Sequence, residues 1–201
     1  MKRIAFFGGS FNPPTYAHIN IAYTTLKQLK IDKFFFVPVG NLYNKPDLID
    51  EKDRYNMLKL VCNQEKNIDV EDIELNKSKS FSAIEVFDMI KKKYQKNNTE
   101  IFFVMGADNF IKINTWQNFN NLIKDYKYIV IQRDNIDLET FISNNICKDD
   151  KNNIDILQLN EYTELRSSII RNLSKSGNFN EAKQYTKPEV IEYIEKNKLY
   201  F

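Results

Sequence analysis

The chain has 201 residues, 42% of them hydrophobic, so it is long enough to bury a substantial core and too apolar to be disordered throughout. Its 29 lysines and arginines against 27 aspartates and glutamates leave a net charge of +2, which gives no basis for a nucleic-acid binder. One histidine and two distant cysteines, Cys62 and Cys147, exclude a recognisable structural zinc set, and no apolar run reaches a bilayer-spanning length.

A buried strand is expected first, over Ile4–Phe7. That stretch is too short for a signal-peptide core, so a cytoplasmic location is expected. Gly8 and Gly9 then read as a turn, two prolines bar a helix, and an amphipathic pattern starts at His18. Ile19, Ala22, Tyr23, Leu26 and Leu29 share its apolar face. Phe34–Val37 reads as a second strand ended by Pro38, and Gly40 to Asp50 as a polar loop. Arg54, Met57, Leu58 and Val61 suggest a helix, and Ile68–Val70 a short extended piece. Ser82 suits the cap of a helix whose face is Ile84, Phe87, Ile90 and Tyr94.

Ile101–Met105 is the clearest late strand and runs into Gly106. Tyr128–Ile131 and Ile154–Leu159 follow as strands, with a helix over Leu138–Ile146 between them and solvated loop over Lys148–Asn153. Ser167–Leu173 and Glu189–Asn197 read as helices, the second entered through Pro188. Apolar strands alternating with helices mark a parallel sheet covered on both faces. Ligands bind such sheets at the carboxyl ends of the strands, so Gly8-Gly9 and Gly106-Ala107-Asp108 should face one crevice.

The segment from Gly8 to His18 points to phosphate handling, because backbone amides left at a helix start can hold an anion. It is neither a dinucleotide fingerprint, which needs a third glycine, nor a P-loop, which ends in Gly-Lys-Ser/Thr. His18 adds ring donors, strongest as histidinium, and Thr15 a hydroxyl. A second anion site is expected at Ser167 and Ser168, with Arg171 one turn on. Taken alone, that stretch reads rather as a serine-capped helix with a surface arginine; the first motif in the same chain favours the anion site. Trp116, flanked by polar residues, suits a rim position where its indole stacks on an aromatic ring. Asp108 suits a ribose hydroxyl or the cap of the next helix, and Lys45 a mobile phosphate ligand or a solvated surface charge.

These motifs resemble those of the nucleotidylyltransferase superfamily, and more specifically bacterial nicotinate-nucleotide adenylyltransferase. The opening glycine pair with Ser10-Phe11-Asn12-Pro13 matches, and His18 is the second histidine of the paired motif. Thr15 stands at the first position of that pair and Ala17 replaces a glycine. Leu165–Arg171 matches the late serine-rich motif, with Arg166 in place of a serine. Gly106-Ala107-Asp108 with Trp116, Lys45 (beside Asn44 rather than histidine) and the closing Lys187–Ile194 with Leu199-Tyr200 also match. Phosphopantetheine adenylyltransferase shares a threonine at position 15 but lacks the Gly106-Ala107-Asp108 and Trp116 combination.

The resemblance implies a Rossmann-like α/β fold: a doubly wound, mostly parallel sheet in a single domain over residues 1–201. The helical part from about residue 165 would complete the ATP site. It implies adenylyl transfer from ATP to nicotinate mononucleotide in NAD biosynthesis, with Mg2+ carried mainly by substrate phosphates and no protein metal cage. His18, Thr15 and Arg171 would be catalytic. ATP would meet Gly8, Gly9, Ser10, Phe11, His18, Lys45, Gly106, Asp108, Ser167, Ser168 and Arg171. The mononucleotide would meet Ser10, Phe11, Lys45, Ser82, Trp116 and Arg133. Neither a nucleic acid nor a membrane is an expected partner, and a homo-oligomer stays open. The rival of a different class is a nucleotide sensor without turnover, with Ala17 and Arg166 as signs of decay.

Overall fold

The computed structural model describes residues 1–201 apart from 97, 117, 133–135, 160 and 162–164. In chain order the elements begin with β1 (Lys2–Gly9), α1 (Tyr16–Gln28), β2 (Lys33–Pro38), α2 (Glu51–Cys62) and β3 (Ile68–Val70). Next come α3 (Ala83–Tyr94), β4 (Thr99–Gly106), the short α4 (Ala107–Phe110), α5 (Phe119–Asp125) and β5 (Lys127–Gln132). The chain continues through α6 (Leu138–Asn145), β6 (Ile154–Gln158), α7 (Ser167–Lys175), the short α8 (Phe179–Ala182) and α9 (Pro188–Lys196).

The strands form one six-stranded sheet in the order β3-β2-β1-β4-β5-β6, and every pairing is parallel. This is the doubly wound Rossmann-like arrangement. The chain starts in the middle of the sheet, steps outward to β3, crosses back to β4 and steps out the other way. The order therefore reverses between β1 and β4, where a crevice opens at the strands' carboxyl ends. The register sets Phe7 opposite Val104, so the Gly8-Gly9 and Gly106 ends lie at the same edge.

Alternation along each strand feeds two cores, one on each face of the sheet. In β1, Ala5 and Phe7 join a core with α1, α2, α7 and α9, while Ile4 and Phe6 join the opposite core with α3 and α6. In β4, Phe102 and Val104 face the first core, and Phe103 and Met105 the second. Both faces of a parallel strand are thus apolar, which is why these segments read as continuous hydrophobic runs. No helix among the described residues is long and apolar enough to cross a membrane.

Several local expectations are corrected. Gly8 and Gly9 are the last residues of β1, paired with Val37 and Pro38, and do not form a turn. The first helix starts at Tyr16, two residues before His18, because Thr15 takes the cap position. Tyr23 is 43% exposed and donates to Glu65 Oε1, so it lies off the apolar face. Helix α5 was not expected: Phe119, Leu122 and Ile123 have helical spacing, but asparagines around them masked it. Lys148–Asn153 is wound into 3-10 turns. The short α8 was not expected either; the remaining strands and helices stand within a few residues of their expected places. Ser82 caps α3 as expected, with Glu85 closing the box.

Candidate active site

The loop from Ser10 to Thr15 leaves β1 at the switch point. Phe11 adopts a left-handed backbone (φ 45°), uncommon for a bulky residue, and its ring is 1% exposed. The ring packs edge-on against His18 and Phe36, with centroids 5.1 and 5.3 Å away. A Cβ on residue 9 would stand 2.9 Å from Phe11 Cζ, so the folded-back ring requires glycine there. At Gly8 a Cβ would meet nothing within 4 Å, which leaves the crevice floor open. Phe11 can therefore offer a ligand only its backbone.

Thr15 and His18 form a capping box in which the imidazole takes the usual place of a glutamate or glutamine. The Thr15 amide donates to His18 Nδ1 at 3.0 Å, and the Thr15 hydroxyl lies 2.8 Å from the same nitrogen. An amide can only donate, so Nδ1 carries no proton and the ring's own N–H is at Nε2. The bond fixes the tautomer of the ring and leaves Nε2–H as its outward donor. Thr15 is fully buried, and its hydroxyl is engaged with His18. The Tyr16 amide is likewise spent, on the Tyr185 carbonyl at 2.9 Å.

The late motif docks directly on this loop. Ser167 Oγ donates to the Pro13 carbonyl at 2.7 Å, and Arg171 Nη1 to the Asn12 carbonyl at 3.0 Å. The cap residue of α7 is Arg166, not a serine, because Ser167 is already helical and its hydroxyl bridges to Pro13. Ser168 stands half-buried beside it.

Lys45 reaches the same place from the loop after β2, with Nζ donating to Ser10 Oγ at 2.8 Å. Burial and the nearby charges of Arg171 and Arg54 all push its pKa below the usual lysine value. Like charges crowded together at Lys45 suit a polyanion. The base of that loop is fixed from below. Arg54, wholly buried, donates to the carbonyls of Ile49 (3.0 Å), Ser10 (3.1 Å) and Val39 (2.6 Å). Gly40 lies so near the Glu74 carbonyl that a Cβ would approach it to 2.6 Å.

The remaining expected residues lie around the crevice. Gly106 ends β4 and caps α4, so Asp108 lies within the first helical turn and is not the cap. Trp116 is half-buried against the core behind β4. The Ser82 hydroxyl is engaged with Glu85 Oε2 at 2.9 Å in its cap. Arg133 lies outside the described residues. The structure also draws in Asn12, Asp47, Arg54 and Tyr200, to which the sequence assigned no role. Among the described residues no group of three histidines, cysteines or carboxylates is placed to hold a metal ion.

Comparison with known proteins decides the family. Residues 6–173 match the cytidylyltransferase-like family. A probable nicotinate-nucleotide adenylyltransferase of Clostridium tetani is 30% identical over 198 residues, covering 92% of this chain and 98% of that one. The chain belongs to the nicotinate-nucleotide adenylyltransferases. A family member from Hydrogenobaculum is 33% identical and covers 98% of this chain and 97% of its own. One from Fusobacterium nucleatum is 34% identical over 179 residues, covering 87% of this chain and 88% of its own. The fold is shared with the Plasmodium falciparum nicotinic acid mononucleotide adenylyltransferase complexed with NaAD. The TM-score there is 0.81 at 23% identity, with 100% of this chain and 98% of that chain covered.

Proposed function

We propose that this adenylyltransferase joins ATP and nicotinate mononucleotide into nicotinate adenine dinucleotide, releasing pyrophosphate. The observation that carries the reading is the convergence of Lys45, Arg171 and the Ser10–Pro13 loop at the sheet's switch point. An oxygen of the mononucleotide phosphate attacks the α-phosphorus of ATP in line. The new P–O bond forms as the bond to the β-phosphate bridge breaks, and pyrophosphate leaves with that electron pair. The substrate brings its own nucleophile, so the protein's work is alignment and charge stabilisation.

In this reading Gly8 leaves room for the nucleotide, and the Nε2–H of His18 donates to phosphate oxygens. Thr15 is a positioning residue that fixes the His18 tautomer. Lys45 and Arg171 neutralise the departing pyrophosphate, with Ser168 beside them. Ser167 joins the late motif to the loop. Asp108 places a ribose and Trp116 flanks the pyridine ring, with Ser82 at the mononucleotide end. The donor set is cationic and hydroxylic, so Mg2+ fits only as a passenger on substrate phosphates and water, where it neutralises charge. The helices from about residue 165 belong to the same domain and complete the ATP end.

The test is purified protein with ATP and Mg2+, offered nicotinate mononucleotide, nicotinamide mononucleotide or phosphopantetheine. Pyrophosphate release should depend on a pyridine mononucleotide, with nicotinate preferred. Preference for phosphopantetheine would replace the substrate assignment, and ATP binding without turnover on any acceptor would favour a sensor.

A further inference from the structure

Asn12 is 2% exposed, and its side chain and carbonyl face three other parts of the molecule. Its carbonyl accepts from Arg171 at 3.0 Å, and its Nδ2 donates to the Asp47 carbonyl, on the Lys45 loop, at 2.7 Å. Its remaining polar atom, Oδ1, accepts from Tyr200 Oη at 2.8 Å. The amide orientation is thereby fixed: with Nδ2 committed to a carbonyl, only a donor suits Oδ1.

Tyr200 is brought there by an unusual chain end. After α9 the backbone passes through left-handed conformations at Lys198 (φ 52°) and again at Tyr200 (φ 70°). Such a conformation at an aromatic residue persists only where its surroundings dictate it. The phenol turns inward beside Arg171 and Arg54, and burial holds its pKa above the ordinary tyrosine value. Phe201, next in the chain, is 68% exposed, so the inward turn is specific to Tyr200.

We propose that Tyr200 is a positioning residue of the adenylyl-transfer site, acting through Asn12. Its hydroxyl locks the amide that holds the Lys45 loop through Asp47, on the residue whose carbonyl seats Arg171. Both cations assigned to the pyrophosphate end are then set by one hydrogen bond from the end of the chain. The inference rests on the functional reading above.

Tyr200→Phe keeps the ring and removes only the donor. Turnover with ATP and nicotinate mononucleotide should fall about three- to tenfold, the worth of one such hydrogen bond. The KM for the mononucleotide should stay within about twofold. Affinity for a non-hydrolysable ATP analogue, measured by calorimetry, should weaken in parallel. Asn12→Ala should lower turnover at least as far, and adding Tyr200→Phe to it should lower turnover no further.

A Tyr200→Phe protein with wild-type turnover and analogue affinity overturns the proposal, whatever happens to its melting temperature. So do losses that multiply in the double variant. Wild-type protein inactive on every acceptor defeats the substrate assignment instead, while the analogue titration still judges Tyr200.

Discussion

Replacing Arg54 by methionine keeps an unbranched stem and removes a guanidinium that is wholly buried. Three carbonyls, of Ser10, Val39 and Ile49, lose their donors at once. Leaving a buried acceptor unsatisfied costs about 1–3 kcal/mol. Against this stands the recovered desolvation of the guanidinium, whose pKa burial already holds below the usual arginine value. Nearby Glu51 and Glu74 lose a compensating charge. The net loss should be about 3–5 kcal/mol, as for other broken buried charge networks. In a chain of this length that lowers the melting temperature by roughly 6–20 °C. Arg54→Lys should recover little, since one ammonium cannot match a planar fork aimed at separate carbonyls. The assay is equilibrium unfolding in urea, read by circular dichroism and by the fluorescence of Trp116, the lone tryptophan. An Arg54→Met protein within about 1 kcal/mol of wild type, at an unchanged denaturant slope, would refute the reasoning.

His18→Ala should lower kcat by about 10²–10³ through loss of a preorganised donor. His18→Gln can refill the capping box, so it should restore melting temperature but not turnover; a folded His18→Ala protein with near-normal kcat would return the ring to a purely structural role. Glu74, 9% exposed, has its pKa raised by burial to about 7, against an ordinary 4.5. A raised folded-state pKa means that its stabilising contribution is whole below about pH 4.5 and lost as pH rises through about 7. Glu74→Gln, a neutral mimic, should therefore gain on wild type from pH 5 to pH 8, by at most about 3 kcal/mol. Thermal melts at both pH values check this, and a pH-independent difference would contradict it.

The sheet was legible because both faces of its strands are buried, which writes each strand as an unbroken apolar run. The glycines were read as a turn because sequence shows their freedom but not their reason. At Gly9 that reason is a ring folded back from Phe11, a contact without a local signature. Thr15 and His18 were visible as a pair. Their mutual bond became evident only once Thr15 proved to be the cap. Arg54 was read as one more position on an amphipathic helix, and nothing in its spacing reveals that its head reaches two other segments. Tyr200 and Asn12 lie 188 residues apart. Only the folded chain shows that they meet.

The phosphate loop is finished by residues far along the chain. Its Pro13 and Asn12 partners, Ser167, Arg171 and Tyr200, come 154, 159 and 188 residues later. Contacts of such long sequence separation form late in folding. During synthesis, β1 and its glycines emerge before the residues that close their loop. A chain broken off before residue 165 would carry the crevice floor without Ser167 or Arg171 to close it. Closure of the phosphate loop is thereby tied to segments synthesised 154 to 188 residues after it.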